Sequence, residues 1–198
     1  MSDEKLAVIL STDRGGERLL EQVPEGHVIH TLVSEHRKII GILRKLDNLR
    51  NTLMDKSCLE DCQDIFGEIH RCAELLLDAD NHHLREEEVV CLELERRGIS
   101  GPPEVMRQEH KLLRPMKERL LNLADEGPVK KTFATLQAEI DETTDRIISN
   151  IVLHIQKENN VLYPLALEKI DDPVVWDKMR EQCDRIGYCS FTPGIGTS

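Results

Sequence analysis

Aromatic side chains make up only 3% of this 198-residue chain, with one Trp, two Tyr and three Phe. A β-sandwich of this length would draw on more aromatic and β-branched residues, whereas the abundant Leu, Ile, Glu, Arg and Lys suit helices. Positive charge is also short: 26 Lys and Arg against 37 Asp and Glu leave a formal net charge of −11. A phosphate-binding face needs clustered cations, so nucleic acid is not an expected partner, and the acidity is read as solubility. No apolar run approaches the length needed to span a bilayer, which excludes a membrane segment. Leu6 to Leu10 is too short for the core of a secretion signal and follows acidic residues. The six cysteines, Cys58, Cys62, Cys72, Cys91, Cys183 and Cys189, do not make a disulfide framework in a chain of this size without such a signal. Free thiols in the cytoplasm are expected.

The length suits one domain with a tail. Residues 1–25 are polar, broken by Gly15-Gly16 and Pro24, and read as an N-terminal arm with at most a short helix. Ile29, Leu32, Val33, Ile39, Ile40, Leu43 and Leu46 then fall at helical spacing in a first long helix from about Gly26 to Met54. Ser57 is a fitting N-cap for a second, which runs to about Arg97 and stops at Gly98. A third spans about Pro103 to Ala124, and a fourth follows Gly127-Pro128 and reaches about Ile170. Pro115 and Pro164, inside these two, mark expected kinks. Asp172-Pro173 opens a short fifth helix to about Ile186, with Trp176 as its anchor against the rest. The expected fold is all-α: an up-down-up-down four-helix bundle over residues 26–170, followed by a short helix and loose tail over 171–198.

Within this frame one half-unit is written twice. His36 is followed by His82 and Glu86, and His110 by His154 and Glu158. The flanks repeat as well: Glu35-His36-Arg37-Lys38-Ile39 parallels Glu109-His110-Lys111-Leu112-Leu113, and His82 to Leu92 parallels His154 to Pro164. His and Glu four apart lie one turn apart on one helix face, so both can reach a single point.

Helix faces decide which histidines count. His36 falls in the middle of the arc of Leu32, Val33, Ile39, Ile40 and Leu43 and points inward. His30 and His27 lie well over 100° and about 180° from it, as surface or helix-start residues. His154 and Glu158 share the face of Ile147, Ile151, Val161 and Leu165. On the second helix two registers compete. The apolar arc of Ile65, Ile69, Cys72, Leu76, Val90 and Leu94 favours His83 and Glu87, whereas the internal repeat favours His82 and Glu86. The repeat is preferred because it aligns the flanking residues too; His83 and Glu87 remain candidates for an extra ligand or for supporting the ligands.

An inward imidazole or carboxylate without a partner costs several kcal/mol, and one alone would be read as a hydrogen-bonded core residue. Six in two matching sets, His36, His82, Glu86, His110, His154 and Glu158, are satisfied together by cations. Imidazole and carboxylate without thiolate suit iron, manganese or zinc. Six ligands are too many for one ion with an open position and suit two ions, each with two histidines, bridged by the glutamates. Tyr163 is close to Glu158 in sequence but falls on the opposite side of the helix arc, so no tyrosine is expected at the site. Cys58 and Cys62, four apart, are read as ordinary thiols for want of a nearby third ligand.

The segments Glu35 to Ile39, His82 to Leu92, Glu109 to Lys111 and His154 to Pro164 resemble the hemerythrin-like, or HHE cation-binding, family over about residues 26–170. The resemblance implies an oxo- or hydroxo-bridged di-iron centre, with His36, His82, His110 and His154 as ligands and Glu86 and Glu158 as bridges. Oxygen-carrying members place two histidines on the third helix; here only His110 stands there, with Arg114 four residues on. The four-His, two-Glu set is more similar to the branch that includes the proteins that repair iron centres. Those carry a cysteine-bearing N-terminal domain, and residues 1–25 here contain no cysteine. Gly101 to Met106 and Arg185 to Cys189 resemble hemerythrin modules of larger sensory proteins, with the chain ending where the partner domain would begin. The function expected is binding or sensing of O2 or NO. The alternatives are a redox enzyme (peroxidase, ferroxidase or NO-reducing) or iron storage and donation. A protein partner or a homodimer is left open.

Overall fold

A computed structural model describes residues 13–194 of the chain. The Leu6–Leu10 stretch and the last four residues lie outside them. All regular structure among the described residues is helical. Helix α1 (Asp13–Gln22) is followed by α2 (Val28–Met54), α3 (Gln63–Asp78), α4 (Asp80–Arg85) and α5 (Leu92–Arg96). Then come α6 (Gly101–Asp125), α7 (Gly127–Lys130), α8 (Phe133–Lys157), α9 (Tyr163–Lys169) and α10 (Pro173–Ile186). Helices α3, α4 and α5 form one column, as do α8 and α9. Each column is joined across its ligand-bearing stretch by a π-helical turn, Glu86–Cys91 in one and Glu158–Leu162 in the other.

The four columns pack in a ring, α2 against α3, α3 against α6, α6 against α8 and α8 back against α2. Short connections between sequential columns make this an up-down-up-down four-helix bundle. The N-cap of α2 is His27, whose Nδ1 accepts from the Ile29 amide at 3.2 Å. Ser57 does not cap the second column, which opens instead on a 3-10 turn, Glu60–Cys62, with no side-chain cap. Helix α6 runs unbroken past Pro115. Helix α10 is capped by Asp172, whose carboxylate accepts from the Val174 amide at 2.8 Å. Trp176 donates its indole N–H to the Ile170 carbonyl at 2.8 Å, and its ring lies against His27.

The core has two apolar layers. One gathers Ile39, Leu43 and Leu46 with Ile69, Leu76, Leu120, Ile140 and Ile147; the other gathers Ile29, Leu32 and Val33 with Val90, Leu94, Leu162 and Ala166. Along every column the chain passes from one layer to the other at the repeated residues: His36, His82 to Glu86, His110, and His154 to Glu158. The fold therefore sets a polar belt between two dry layers, where an unpartnered charge is most costly.

Candidate metal centre

The belt closes on a cluster of imidazole and carboxylate groups. His36 and His82 bring their Nε2 atoms to 3.1 Å, and His110 and His154 theirs to 2.9 Å. All four residues are buried, and Glu86 and Glu158 are fully so. Glu158 spans both pairs, with Oε2 3.1 Å from His36 Nε2 and Oε1 2.8 Å from His154 Nε2. Glu86 Oε2 lies 3.5 Å from the Nε2 atoms of both His82 and His110. Two four-residue groups with cation-binding spacing result: His36, His82, Glu86 and Glu158, and Glu86, His110, His154 and Glu158.

Each ring is oriented from behind. His82 Nδ1 donates to Glu35 Oε2 at 2.7 Å and His154 Nδ1 to Glu109 Oε2 at 2.8 Å. His110 Nδ1 donates to Glu87 Oε1 at 2.7 Å, and His36 Nδ1 to the Asn159 side-chain oxygen at 3.0 Å. The repeat governs this outer set too. The Glu before the single His serves the His of the neighbouring column, and the residue after each inner Glu serves the single His. With Nδ1 acting as donor, each neutral ring turns the lone pair of Nε2 into the pocket.

That arrangement tests whether a cation fits. With all four rings neutral, their inward lone pairs would repel at these separations, and Glu86 Oε2 and both carboxylate oxygens of Glu158 are buried without a hydrogen bond. A dry protein interior does not leave such groups unanswered. Without a cation, protons are the only compensation, and they distribute unequally. Burial and the charge of Glu158 push the Glu86 carboxyl well above the usual range. Burial also raises Glu158, but the neighbouring His154, with the His110 and His36 rings, outweighs it and holds its carboxyl well down. Burial lowers His154, yet Glu158 and Glu109 overcome that and lift it to about 9; burial dominates at His82, which falls to about 4. The donor set fits hard or borderline cations such as iron.

Four residues are placed less simply. Glu87 faces His110 rather than the cluster interior. His83 stacks on His110 with ring centroids 3.9 Å apart, and one nitrogen each of His83, His110 and His154 can also share an ion. Asn159 is not among the residues the sequence singles out; its signal is its place directly after Glu158, matching Glu87 after Glu86. Tyr163 corrects the sequence expectation. It is fully buried, and its hydroxyl donates to Glu86 Oε1 at 2.6 Å and stands 3.3 Å from His36 Nε2. In a regular helix Tyr163 would lie roughly 140° round from Glu158. The Tyr163 amide instead bonds the Glu158 carbonyl, five residues back. This extra residue in the turn takes back roughly 100° and swings the phenol into the belt. Pro164, which lacks an N–H and crowds the carbonyl four residues before it, supplies a local reason for the wide turn.

A surface cavity of about 340 Å³ ends on this cluster, lined by Asp80, His83, Leu84, Glu87, His110 and Arg114 among others. A larger one, about 530 Å³, opens beside Glu118, Arg119 and Glu139 and contains none of the clustered residues.

A family model, the hemerythrin HHE cation binding domain, matches residues 27–186. The chain belongs to that family. Its match takes in all four columns, the belt and α10. Hemerythrin domains bind metal ions, typically iron, and the His and Glu cluster of this member can hold a metal. No curated protein matches the chain. Among the described residues no helix is long and apolar enough to cross a membrane.

Proposed function

We propose that this hemerythrin-family protein holds two iron ions and binds or senses O2 or NO at them. His36 and His82 would hold one ion and His110 and His154 the other, with Glu86 and Glu158 shared. The observation that carries this reading is the convergence of four Nε2 lone pairs on buried carboxylate oxygens that lack hydrogen bonds. When bound, iron supplies positions for a diatomic ligand and electrons for its reduction.

The protein's own contribution is to orient, exclude water and grade access. Glu35, Glu109, Glu87 and Asn159 fix the rings, so binding a cation costs little reorganisation. The apolar layers on either side keep water from the pocket. A cavity meets the His110 side, lined by both His110 and the His83 ring stacked on it. A small uncharged ligand would approach there. The bundle of residues 26–170 is the proposed binding unit, and α10, packed on α2 and α4, is placed to pass a change at the site outward. Six free cysteines support a reducing compartment, the cytoplasm.

Metal analysis with a visible spectrum in air and after reduction tests this. About two irons per chain with oxo-bridge absorption is the expected result, whereas zinc alone or no metal from iron-rich cells overturns it. Adding O2 or NO to the reduced protein then divides the roles. A stable adduct supports binding or sensing; immediate irreversible oxidation points to a redox enzyme, and ready loss of iron to a chelator to iron donation.

A further inference from the structure

The two halves of the belt are not equivalent, and Tyr163 makes the difference. Glu158 offers one oxygen to each histidine pair, Oε2 toward His36 and Oε1 toward His154. Glu86 does not: its Oε2 stands midway between His82 and His110, while its Oε1 is turned aside to the Tyr163 hydroxyl. Glu86 thus gives the two pairs one equally shared oxygen, and only the His36 and His82 pair has a further oxygen donor beside it, the phenol oxygen 3.3 Å from His36 Nε2. The phenol ring lies nearly parallel to that of His36, at 15°, with centroids 5.6 Å apart, and is fully buried. In the repeat, the residue five after Glu86 is Cys91 and the residue five after Glu158 is Tyr163. The His110 and His154 pair has no phenol and instead has His83 stacked against it.

We propose that the phenol oxygen of Tyr163 is a protein ligand to the ion held by His36 and His82, so that the two metal positions differ. This rests on the two-iron reading above. Oxygen donors suit ferric iron, and the phenol oxygen already stands 3.3 Å from His36 Nε2, inside the spacing that the clustered ligand atoms keep among themselves. On coordination the O–H bond is exchanged for an oxygen–iron bond, the proton leaves to the buffer and no electron moves. The other position, with imidazole and carboxylate donors, is left to exchange small ligands beside the cavity. An anionic oxygen donor also favours the ferric over the ferrous state of its ion, so the two irons would differ in redox behaviour.

The full chain, loaded with ferrous iron alone and oxidised in air, provides the test. Resonance Raman excitation in the visible should show tyrosinate ring modes of an iron–phenolate charge-transfer band. Tyr163→Phe should lose that band and those modes while keeping its iron. Tyr188→Phe, which removes the other tyrosine of the chain, should keep both. If Tyr163→Phe does not fold, wild type grown with ring-deuterated tyrosine, alongside Tyr188→Phe, gives the same information through the isotope shift. Iron-loaded wild type without tyrosinate modes, or Tyr163→Phe with an unchanged spectrum, overturns the ligand and leaves the two-iron reading standing. A chain that takes up no iron overturns both.

Discussion

Glu35 Oε2 accepts a hydrogen bond from His82 Nδ1 at 2.7 Å, and the same carboxylate takes Arg85 Nη2 at 2.7 and 2.9 Å. Glu35 and Arg85 are both buried. Burial pushes the Glu35 carboxyl up, but His82 and Arg85 outweigh it and hold it down at about 2. Its repeat counterpart, Glu109, does the same service for His154 but is partly open to solvent and pairs with the exposed Lys157. One motif position thus has two mechanical settings.

The pair gives a graded prediction. Glu35→Gln and Glu109→Gln should each weaken metal binding by about 10–100-fold, because each loosens the orientation of one inner histidine. Only Glu35→Gln should also lower the stability of the metal-free protein strongly, by about 3–5 kcal/mol, since it strands the Arg85 charge in the interior. Metal titration and urea unfolding of both variants separate the two effects. Equal unfolding midpoints for the two variants would contradict the assignment.

Metal uptake should release protons. At pH 7 the metal-free protein holds a proton on His154, whose folded value of about 9 is raised from 6.5; burial and the charge of Glu158 push the Glu86 carboxyl upward as well. A cation must expel the His154 proton, so affinity should climb with pH until about 9 and then flatten as far as His154 is concerned. The sign for stability runs the other way in metal-free protein. The His154 contribution is complete below 6.5 and disappears as pH rises through about 9. Calorimetry in buffers of different ionisation heat counts the protons. No proton release at neutral pH would mean that the pocket is already deprotonated.

Much of this centre is legible in the amino-acid sequence, for a definite physical reason. A histidine on an apolar arc states its direction, and the doubled motif gives each inward group a matching one; hence His36, His110 and the His154–Glu158 pair stand out. Where the helix departs from regular pitch, that reasoning fails. Periodicity puts Tyr163 on the wrong side because it assumes one rise and one rotation per residue, and the Glu158–Leu162 turn breaks that assumption. The second column has the same kind of turn at Glu86–Cys91, which is where the apolar arc and the repeat disagree over register. An arc drawn from residues on both sides of a π turn averages two phases. Asn159 and Glu87 support rings from one step past each inner Glu, a role that helix faces do not capture.

The segment after α10 is tied directly to the site. Thr192 Oγ1 donates to Glu35 Oε1 at 2.5 Å, Arg85 reaches Cys189 Sγ at 3.6 Å, and the Ser190 amide donates to Asp78 at 2.6 Å. Thr192→Val removes a hydrogen bond to a buried charge while keeping the shape. A cost of about 1.5–3 kcal/mol is expected in thermal or urea unfolding. Hydrogen exchange should rise at the amides of Ser190 and Thr192, both held in the structure. A neutral effect on both readouts would show that the segment does not brace Glu35.

His82 and His83 are neighbours in sequence with opposed expected effects. His82→Ala removes an inward Nε2 while Glu35 keeps Arg85 and Thr192, so metal content should fall by about half or more, in keeping with the loss of one of two positions. His83→Ala removes a ring that stacks on His110 and lines the cavity with it. Its metal content should stay near wild type, because His110 and His154 keep both shared glutamates. Small ligands should reach the site faster, since the truncated side chain widens the cavity where it meets His110. Stopped-flow mixing of iron-loaded protein with NO reads this directly: a faster association rate than wild type, with iron retained, is expected. Loss of iron from His83→Ala instead would make His83 a ligand of the second ion, and would assign the open position to a different donor set.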